Sequence, residues 1–546
     1  MNQSNYLVSR GAAVLILSLF LGACGDSGGN DNADFNRKPV AAAGPDQTVT
    51  VGQEVELDGS GSRDADGDTL SYHWSVSAAP VGAGVSLLLS DTVRPRFLAS
   101  VDGIYTLKLV VSDGRLQSTA DYVAVTADAK VTNQAPQAEA GSDRYVRFGQ
   151  ATSLDAGTSH DPDGDALSFR WTLDASPADS VVSPTDTNVA ILSFTPDVAG
   201  DYQFSVTVSD GSLSDTATVV LHASRPVTRL DYRVLDAEYS RTLDRLVMVA
   251  TNPNRLYVRD PASGDEAALD LPQVPTSVSV SPDGLSAAVA HDAWVSLVDL
   301  EQGVLKRTWP VSSDSVDVVL GGNNHAYVFP LTDQWSRIHS INLTDGTDST
   351  SLGDYIFAGT QARLHPDGQR IYGADNGLSP SDLETYAIST GAASYLYDSP
   401  YHGDHEVCGN LWISADGLRI FTRCGNVFRA SEVREQDMLY NGSLDQLVGV
   451  QSLDHSGAAG KVLAIPAARY AWDNEMSSED TELQQYDYDY LAFESRKSLP
   501  PFLVDGKPHA GHGRFVFYDA AGEHYYVILQ ADDSSGLQQD YGIVGY

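Results

Sequence analysis

One stretch of this chain is written twice, at a constant offset of 97 residues. The matched positions include aromatic residues, acids and turns: Trp74 and Trp171, Phe97 and Phe194, Tyr105 and Tyr202, Ser112-Asp113-Gly114 and Ser209-Asp210-Gly211. An ungapped period of this length indicates two tandem copies of one small domain, because each copy is long enough to hold a complete core. Domains repeated in this way are typically spacers or binding units.

Within each copy, apolar and polar residues alternate over short segments that end in turn motifs. The segment 105–111 alternates before the turn at Asp113, and the segment 202–208 does the same before Asp210. Several short alternating strands and one Trp in about 90 residues are typical of a β-sandwich with the Trp in its core. We therefore expect Trp74 and Trp171 to be buried rather than to stack on a ligand.

The two copies resemble the PKD domain, an immunoglobulin-like module. The shared motifs are Asn-x-x-Pro, Ala-Gly, Ser-x-Asp-x-Asp-Gly-Asp-x-Leu-x-Tyr/Phe-x-Trp and Gly-x-Tyr-x-x-x-Leu/Val-x-Val-Ser-Asp-Gly. The resemblance implies two Ig-like sandwiches, at residues 37–128 and 133–224. Many members continue after the Trp with Asp-Phe-Gly-Asp-Gly, whereas Ser75-Val76 and Thr172-Leu173 follow here. The two copies therefore form a variant of the family pattern.

Each copy carries three aspartates within five residues. Oxygen ligands on alternate residues suit Ca²⁺, although the spacing is not that of an EF-hand, since its twelfth position holds Ser75 or Thr172. In calcium-binding relatives the first Asn, two of the aspartates and the later Ser-Asp turn meet at one ion. The resemblance thus implies two sets of ligands: Asn36, Asp64, Asp66 and Asp113, and Asn133, Asp161, Asp163 and Asp210. The alternative is a turn whose carboxylates only accept hydrogen bonds from backbone N–H groups.

From about residue 226 to residue 546 the repeat becomes shorter. Turns such as Ser281-Pro282-Asp283-Gly284 alternate with a second series, whose glycines Gly264, Gly303, Gly346 and Gly391 are 39, 43 and 45 residues apart. Four short strands per unit are typical of a propeller blade, and a unit of about 45 residues predicts about seven blades. The region resembles bacterial YVTN and surface-layer propellers. We expect the ring to close between residues 230–232 and 541–544, and the acidic stretch 476–490 to be an inserted loop.

The N-terminus has the pattern of a secretory signal at residues 1–23, with Arg10 before a short apolar run. Leu21-Gly22-Ala23-Cys24 resembles a bacterial lipobox, which implies that Cys24 is lipidated; the alternative is a plain secretory signal with an incidental Cys. Gly25 after the Cys favours the outer membrane, and residues 24–36 have the composition of a flexible tether. No later apolar run is long enough for a transmembrane helix. We therefore expect a bacterial envelope protein held to the membrane by its lipid alone.

The other two cysteines, Cys408 and Cys424, flank a predicted hairpin. A disulfide between them is consistent with an exported protein; two buried free thiols are the alternative. The formal net charge of −39 disfavours nucleic acid as a partner.

Catalytic motifs are scarce. The sequence contains neither His-Glu-x-x-His nor a Walker loop, and its Gly-x-Ser-x-Gly match, at residues 25–29, lies in the tether. Two His-x-x-His pairs, His402 with His405 and His509 with His512, are weak candidates for a Zn²⁺ or similar site.

The sequence favours an all-β, non-catalytic lipoprotein whose sandwiches present a propeller that binds glycan, peptide or an envelope protein. The alternative is a polysaccharide lyase or hydrolase with its active site in the propeller mouth.

Overall fold

The computed structural model describes residues 36–351, 353, 355–375, 381–468 and 476–546. These residues form 44 strands and three short 3₁₀ turns, so the predicted all-β fold is confirmed. The chain divides into two compact units at Asn133/Gln134, which are described separately. The predicted signal sequence, Cys24 and the tether as far as residue 35 lie outside the described residues. Among the described residues, no helix has the length and hydrophobicity needed to cross a membrane.

The first unit is a sandwich of six strands: β1 (Gln47–Thr50), β2 (Glu54–Glu56), β3 (Ser71–Ala78), β4 (Arg96–Leu98), β5 (Gly103–Ser112) and β6 (Asp121–Asp128). One sheet has the order β1-β6-β5-β3, with β1 parallel to β6, and β2 pairs with β4 in the other. Trp74 on β3 is 1% exposed and packs in the core with Phe97 and Tyr105, as the alternating pattern predicts.

The second unit begins with a sandwich of the same topology. Its strands are β7 (Arg144–Arg147), β8 (Thr152–Asp155), β9 (Ser168–Ala175), β10 (Ile191–Phe194), β11 (Gly200–Ser209) and β12 (Ser214–Ser224), in the sheets β7-β12-β11-β9 and β10-β8. Trp171, Phe194 and Tyr202 occupy its core. The core aromatic residues thus repeat at the sequence offset of 97 residues, which confirms that both copies have the same Ig-like fold.

Seven four-stranded antiparallel sheets follow, with one short strand, β13 (Thr228–Arg229), before them. The first blade contains β14 (Asp236–Ser240), β15 (Arg245–Thr251), β16 (Asn254–Arg259) and β17 (Glu266–Asp270). The second contains β18 (Pro275–Val280), β19 (Ser286–His291), β20 (Trp294–Asp299) and β21 (Val304–Pro310). The third contains β22 (Asp317–Leu320), β23 (His325–Phe329), β25 (His339–Asn342) and β26 (Asp348–Thr350). A small ribbon of β24 (Trp335–Ser336) and β27 (Ile356–Phe357) is attached to the third blade.

The remaining blades follow in chain order. The fourth blade contains β28 (Gln361–Leu364), β29 (Arg370–Ala374), β30 (Leu383–Ala387) and β31 (Ser394–Asp398), and the fifth contains β32 (Leu411–Ile413), β33 (Arg419–Thr422), β34 (Asn426–Arg429) and β35 (Tyr440–Ser443). The sixth contains β36 (Val450–Ser456), β37 (Lys461–Pro466), β38 (Glu482–Asp487) and β39 (Phe493–Ser498). After a ribbon of β40 (Phe502–Val504) and β41 (Lys507–His509), the seventh contains β42 (Gly511–Tyr518), β43 (Tyr525–Ala531) and β44 (Tyr541–Gly545). The 3₁₀ turns are Arg434–Gln436, Glu479–Thr481 and Asp533–Ser535.

The ring closes because β13 adds to the outer edge of the seventh blade. Thr228 pairs with Ile543 and Arg229 with Gly542, and the Leu230 N–H donates to the Tyr541 carbonyl at 2.9 Å. Closure therefore occurs where the sequence predicted it, within two residues. Pairing the first strand with the last leaves the ring without an open blade.

The turn between the first and second strands of a blade explains the recurring Asp-Gly motif. In the second blade Gly284 has a φ of +73°, a region that strongly favours glycine, and Asp283 accepts hydrogen bonds from Ser281 and from the Leu285 N–H. The motif thus encodes the reversal of the chain between an inner strand and its neighbour.

One expectation about the sixth blade is wrong. The stretch 476–490 is not simply an inserted loop, since Glu482–Asp487 forms its third strand, β38. Leu483, Gln484 and Tyr486 are buried, so burial does not simply alternate along this strand, and the acids and Gln residues gave no clear strand pattern in the sequence.

Arg225 joins the second sandwich to the propeller. Its guanidinium carbon lies 5.3 Å from the ring centre of Phe148, in the sandwich, and 4.9 Å from that of Tyr546, at the end of the propeller. Cation–π contacts on two sides restrain this connection at a point where the chain has only a few residues between strands.

Candidate functional site

The centre of the propeller contains a cavity of about 340 Å³, lined by the first strands of five blades. Polar groups on its wall include Asp236, Glu238, Arg363 and Asp454, and aromatic side chains include Trp412 and Phe517. As far as the chain is described, its lining contains neither His nor Cys. Acidic side chains therefore meet in the mouth of the ring without the imidazole or thiol groups of common nucleophilic sites.

The acids on the cavity wall, and Asp317 beside Arg363, accept hydrogen bonds from neighbouring inner strands. Asp236 and Glu238 on β14 accept from the N–H groups of Val278 and Val280 on β18, at 2.9 and 2.6 Å. Asp317 on β22 accepts from the Ala362 N–H on β28 at 2.9 Å. An innermost strand has no further strand to pair with, so its N–H groups need side-chain acceptors. The first role of these carboxylates is to join adjacent blades.

Arg363 is the cation among these acids. Its Nη1 lies 3.1 Å from Asp317 Oδ2, and its side chain keeps 29% exposure because it faces the cavity. Burial raises the pKa of Asp236 to about 6 and that of Glu238 to about 8, with Arg363 opposing both shifts. Burial also raises the pKa of Asp317. These raised pKa values favour the protonated form of Glu238 near neutral pH, while Asp236 ionises more readily.

A second ion pair lies on another part of the wall. Arg241 Nη2 donates to both carboxylate oxygens of Asp454 at 2.9 Å, and Asp454 also accepts from the Tyr518 N–H at 2.7 Å. This pair crosslinks the first and sixth blades by way of the seventh. The cavity can therefore offer hydrogen bonds of both kinds to a polar ligand, with carboxylates as acceptors and guanidinium groups as donors.

The Glu238→Gln variant is expected to unfold at a higher temperature than wild type at pH 8, and at nearly the same temperature at pH 5. A group whose pKa is raised by folding contributes stability below its unfolded pKa, and this contribution is lost as pH rises through the folded value, here near 8. Gln keeps an oxygen for the Val280 N–H and cannot ionise, so we expect a gain of up to about 4 kcal/mol at pH 8. Calorimetry at both pH values measures it.

The exposed Glu301 supplies the control for this experiment. Glu301→Gln should shift the unfolding temperature little at either pH. A Glu238→Gln gain of the same size at pH 5 and pH 8 would mean that ionisation of Glu238 is not its cause.

In the first sandwich, the predicted calcium ligands are connected by hydrogen bonds. Asn36 Nδ2 donates to Asp113 Oδ2 at 2.7 Å, and Asp64 Oδ1 accepts from the Asp66 N–H at 2.8 Å. Asp66 is held by Arg37, through its backbone N–H at 2.6 Å and its Nε at 2.9 Å. Hydrogen bonding from the Arg37 backbone, reinforced by its guanidinium, lowers the pKa of Asp66, and the Leu116 N–H lowers that of Asp113.

The second sandwich repeats the acidic turn with one change of charge. Asp161 Oδ1 accepts from the Asp163 N–H at 2.8 Å, as in the first copy. Gln134 stands where Arg37 stands, and donates to Asp163 through its backbone N–H at 2.6 Å and its Nε2 at 3.0 Å. Asp210 Oδ1 accepts from the N–H groups of Ser212 and Leu213, and Asn133 is exposed. The second cluster thus lacks the guanidinium of the first.

One oxygen has the same environment in both clusters. Asp64 Oδ2 and Asp161 Oδ2 are shielded from solvent and have no hydrogen-bond partner in the part of the chain that the structure describes. A buried carboxylate oxygen without a donor is costly. Asx turns hold one oxygen of each of these aspartates, while the other oxygen lacks a hydrogen-bond donor among the described residues.

The histidine pairs do not share one site. His402 Nδ1 lies 3.5 Å from Asp382 Oδ2, whereas the ring of His405 stacks on Tyr440 with a centre-to-centre distance of 3.7 Å. His509 contacts Ser534 Oγ at 3.0 Å. His512 is buried and lies 2.5 Å from Asp480, which raises its pKa. Each histidine therefore has its own local partner.

Cys408 and Cys424 form a disulfide, with 5.4 Å between their Cα atoms. It connects the loop before β32 with the turn after β33, around the predicted hairpin. The pairing agrees with the sequence prediction, and the alternative of two free thiols is wrong.

Sequence reasoning missed the principal residues of the cavity. Asp236 and Glu238 are two apart on one strand, so that they share a face, and two acids on an innermost strand were a detectable signal. Asp317 and Arg363 lie 46 residues apart in the chain, and no motif connects them. Their proximity depends on the packing of neighbouring blades.

Comparisons with known proteins cover mainly the sandwiches. The family of PKD domains found in KIAA0319-like proteins matches residues 43–127 and 140–222, so both sandwiches have PKD-type sequences. The chain is 32% identical over 248 residues to the dyslexia-associated protein KIAA0319 homolog of Mus musculus, covering 42% of this chain and 22% of that protein. It is 32% identical over 209 residues to chitinase A of Pseudoalteromonas piscicida, covering 35% of this chain and 24% of that enzyme.

The chain thus spans about a quarter or less of these relatives. Among solved structures, the β-propeller domain of Myceliophteria thermophila Cps50 (Swd1) aligns with 59% of this chain and 99% of that one, at 11% identity and a TM-score of 0.42.

Proposed function

We propose that this protein is a non-catalytic lipoprotein of the bacterial cell envelope, in which the PKD sandwiches carry a ligand-binding propeller. The observation that supports it most directly is the central cavity, whose carboxylates already serve as acceptors for neighbouring strands and whose charges are partly paired. The cavity is large enough for a small polar group or the tip of a larger ligand. Glycans, peptides and envelope proteins are the ligand classes that suit its donors, acceptors and aromatic rings.

The restrained connection at Arg225 supports the same function. Its two cation–π contacts hold the propeller on the second sandwich, as a domain that presents a binding surface requires. The strong net negative charge argues against nucleic acid as the ligand.

Binding in the cavity is tested by filling it. Gln451 lines the cavity, and Gln451→Trp should abolish capture of ligands from glycan and peptide arrays by the full-length protein. Val81 is fully exposed in the first sandwich, so Val81→Trp is the matched control. Equal capture by both variants would show that the cavity is not the binding site.

Anchoring is a separate part of the proposal. Cys24 in the lipobox-like sequence would carry the lipid and hold the protein in the envelope, on the outer membrane. Cells given an alkyne-labelled fatty acid should label the wild type and leave Cys24→Ser unlabelled, with the variant released from the membrane fraction. Unchanged labelling of Cys24→Ser would remove the anchor from the proposal.

We further propose that the acidic clusters of both sandwiches bind Ca²⁺, supported by the oxygen that lacks a partner in each copy. Asn36, Asp64, Asp66 and Asp113 would hold one ion, and Asn133, Asp161, Asp163 and Asp210 the other. Calcium should raise the unfolding temperature of the sandwiches, and chelator should lower it. No shift with chelator would leave the aspartates as turn-forming residues only.

The Arg37→Gln variant is expected to bind Ca²⁺ at the first cluster roughly twofold to fivefold more tightly than wild type. Arg37 forms an exposed ion pair with Asp66 that a metal ion would have to displace, whereas the second cluster has Gln134 at that position. Calorimetric titration of both proteins measures the change. An Arg115→Gln variant, which removes a nearby exposed charge without this ion pair, is the control; equal effects of both would indicate only a general charge effect.

An enzyme remains the second candidate function, for one specific reason. Asp236 and Glu238 share a face of β14 and have pKa values of about 6 and 8, and glycoside hydrolysis uses a protonated and an ionised carboxyl group together. A screen of polysaccharides, chitin included, tests it. Turnover that Glu238→Gln removes without loss of folding would favour the enzyme over the scaffold.

A further inference from the structure

The fourth blade brings three metal-ligating side chains to one end of its sheet. Asp382 precedes β30, Asp398 ends β31, and His402 lies in the following loop. In an antiparallel blade the connection between the second and third strands lies at the same end as the exit of the fourth. The Ser399 N–H, which donates to the Leu383 carbonyl at 2.8 Å, holds the two segments together.

The distances among these side chains suit a metal ion. One ligand atom from each of Asp382, Asp398 and His402 can be chosen so that all three lie within 4.8 Å of one another. His402 Nδ1 and Asp382 Oδ2 are 3.5 Å apart, which is long for a hydrogen bond. Two ligands of a tetrahedral ion, each bonded at about 2.0–2.1 Å, are separated by about 3.4 Å.

Asp382 is oriented by its own partners. Its Oδ1 accepts from the Leu383 N–H at 2.7 Å and from the Ser399 hydroxyl, so its Oδ2 is the oxygen that points to His402. The Asp382 side chain is 16% exposed, whereas that of His402 is 73% exposed. Such outer contacts fix a carboxylate ligand in place, and the exposed side leaves room for water or another ligand.

The local charge also favours a cation. Asp375, Asp382 and Asp398 all act electrostatically on the nearby Glu384. These four carboxyl groups repel one another, and a divalent ion held by Asp382 and Asp398 would offset part of that repulsion.

The other group of three possible ligands differs in a decisive way. Glu406, Cys408 and Cys424 also lie close together, but the two sulfur atoms are joined in the disulfide. They therefore cannot act as thiolate ligands in this state.

We propose that Asp382, Asp398 and His402 form a binding site for a divalent transition metal ion such as Zn²⁺, with a further coordination position open to solvent. This set retains one of the four histidines that the sequence suggested and combines it with two carboxylates from the same blade. Nitrogen and oxygen donors in this combination suit Zn²⁺. The site is separate from the central cavity and from the acidic clusters of the sandwiches.

The test is a Zn²⁺ titration of the full-length protein after removal of bound metal, in excess Ca²⁺ so that the sandwich clusters do not contribute. Wild type should bind one Zn²⁺, and His402→Ala and Asp382→Asn should each lower the Zn²⁺ affinity at least tenfold. His405→Ala and His509→Ala are the controls, since they remove half-buried imidazoles that lie outside the site. Circular dichroism establishes whether each variant is folded. If Asp382→Asn is not folded, Asp398→Asn is the replacement, since it is a milder change at the surface.

Three results would overturn the proposal: no Zn²⁺ binding by wild type, binding unchanged in His402→Ala, or an equal loss in His405→Ala and His509→Ala. The last would indicate adventitious binding by surface histidines. None of these results bears on ligand binding in the central cavity, which is measured separately.

Discussion

The Arg363→Met variant is expected to lose roughly 3–5 kcal/mol of propeller stability at pH 8, and much less at pH 5. Removing one partner of a largely buried ion pair leaves an uncompensated charge, and Arg363 interacts electrostatically with Asp236, Glu238 and Asp317 together. At pH 8 these acids must either ionise without a neighbouring cation or be protonated although the proton concentration is low. At pH 5 protonation is easier, so the penalty falls.

Urea unfolding of the propeller at both pH values measures this effect. The exposed pair of Arg255 and Asp270 supplies the matched control, and Arg255→Met should change the stability little at either pH. If Arg363→Met does not fold, Arg363→Lys retains the charge and should show a smaller loss. A loss that is equal at pH 5 and pH 8 would mean that Arg363 acts through packing rather than by compensating the acids.

Loss of the Cys408–Cys424 disulfide is expected to destabilise the fifth blade by about 3 kcal/mol. The crosslink closes a loop with a sequence separation of 16, and chain-entropy arguments give about this value for a loop of such length. Cys424→Ser is the variant of choice because Cys408 has a φ of +60°, where a change of residue could add its own effect. Thermal unfolding with and without a thiol reductant measures the change.

The reductant itself provides the control. Wild type should lose stability when reduced, and Cys424→Ser should respond little to the same treatment. If reduction leaves the wild-type transition unchanged, the crosslink contributes nothing to propeller stability, and the hydrogen bonds of the hairpin are sufficient.

These two experiments address the balance between stability and function in the propeller. The cavity acids are required as acceptors for the inner strands, yet burial raises their pKa values and makes them sensitive to pH. Because these carboxylates already accept hydrogen bonds from the inner strands, a ligand in the cavity can bind only to oxygens and donors that are not used in this way. For this reason the binding test fills the cavity at Gln451 and leaves these acids unchanged.

The sandwiches could be predicted because the residue pattern that specifies them is local and occurs twice in the sequence. Trp74, Phe97 and Tyr105 recur at a constant offset, and burial of alternate residues follows directly from strand geometry. The blades were predictable for the same reason, since Asp-Gly turns such as that at Gly284 recur between the first and second strands of several blades. The disulfide followed from two cysteines on either side of a short hairpin. In the sixth blade the local pattern was weak, and strand Glu482–Asp487 was missed.

The candidate sites depend on contacts that no local pattern encodes. Arg363 meets Asp317 because the inner strands of neighbouring blades are adjacent, and Asp382 meets His402 because two connections of one blade lie at the same end of its sheet. The sequence alone determined which segments become strands and where they turn, since each depends on residues close together in the chain. Only the tertiary structure decided which charged groups face each other, because that depends on how separate strands pack and on how far water is excluded between them.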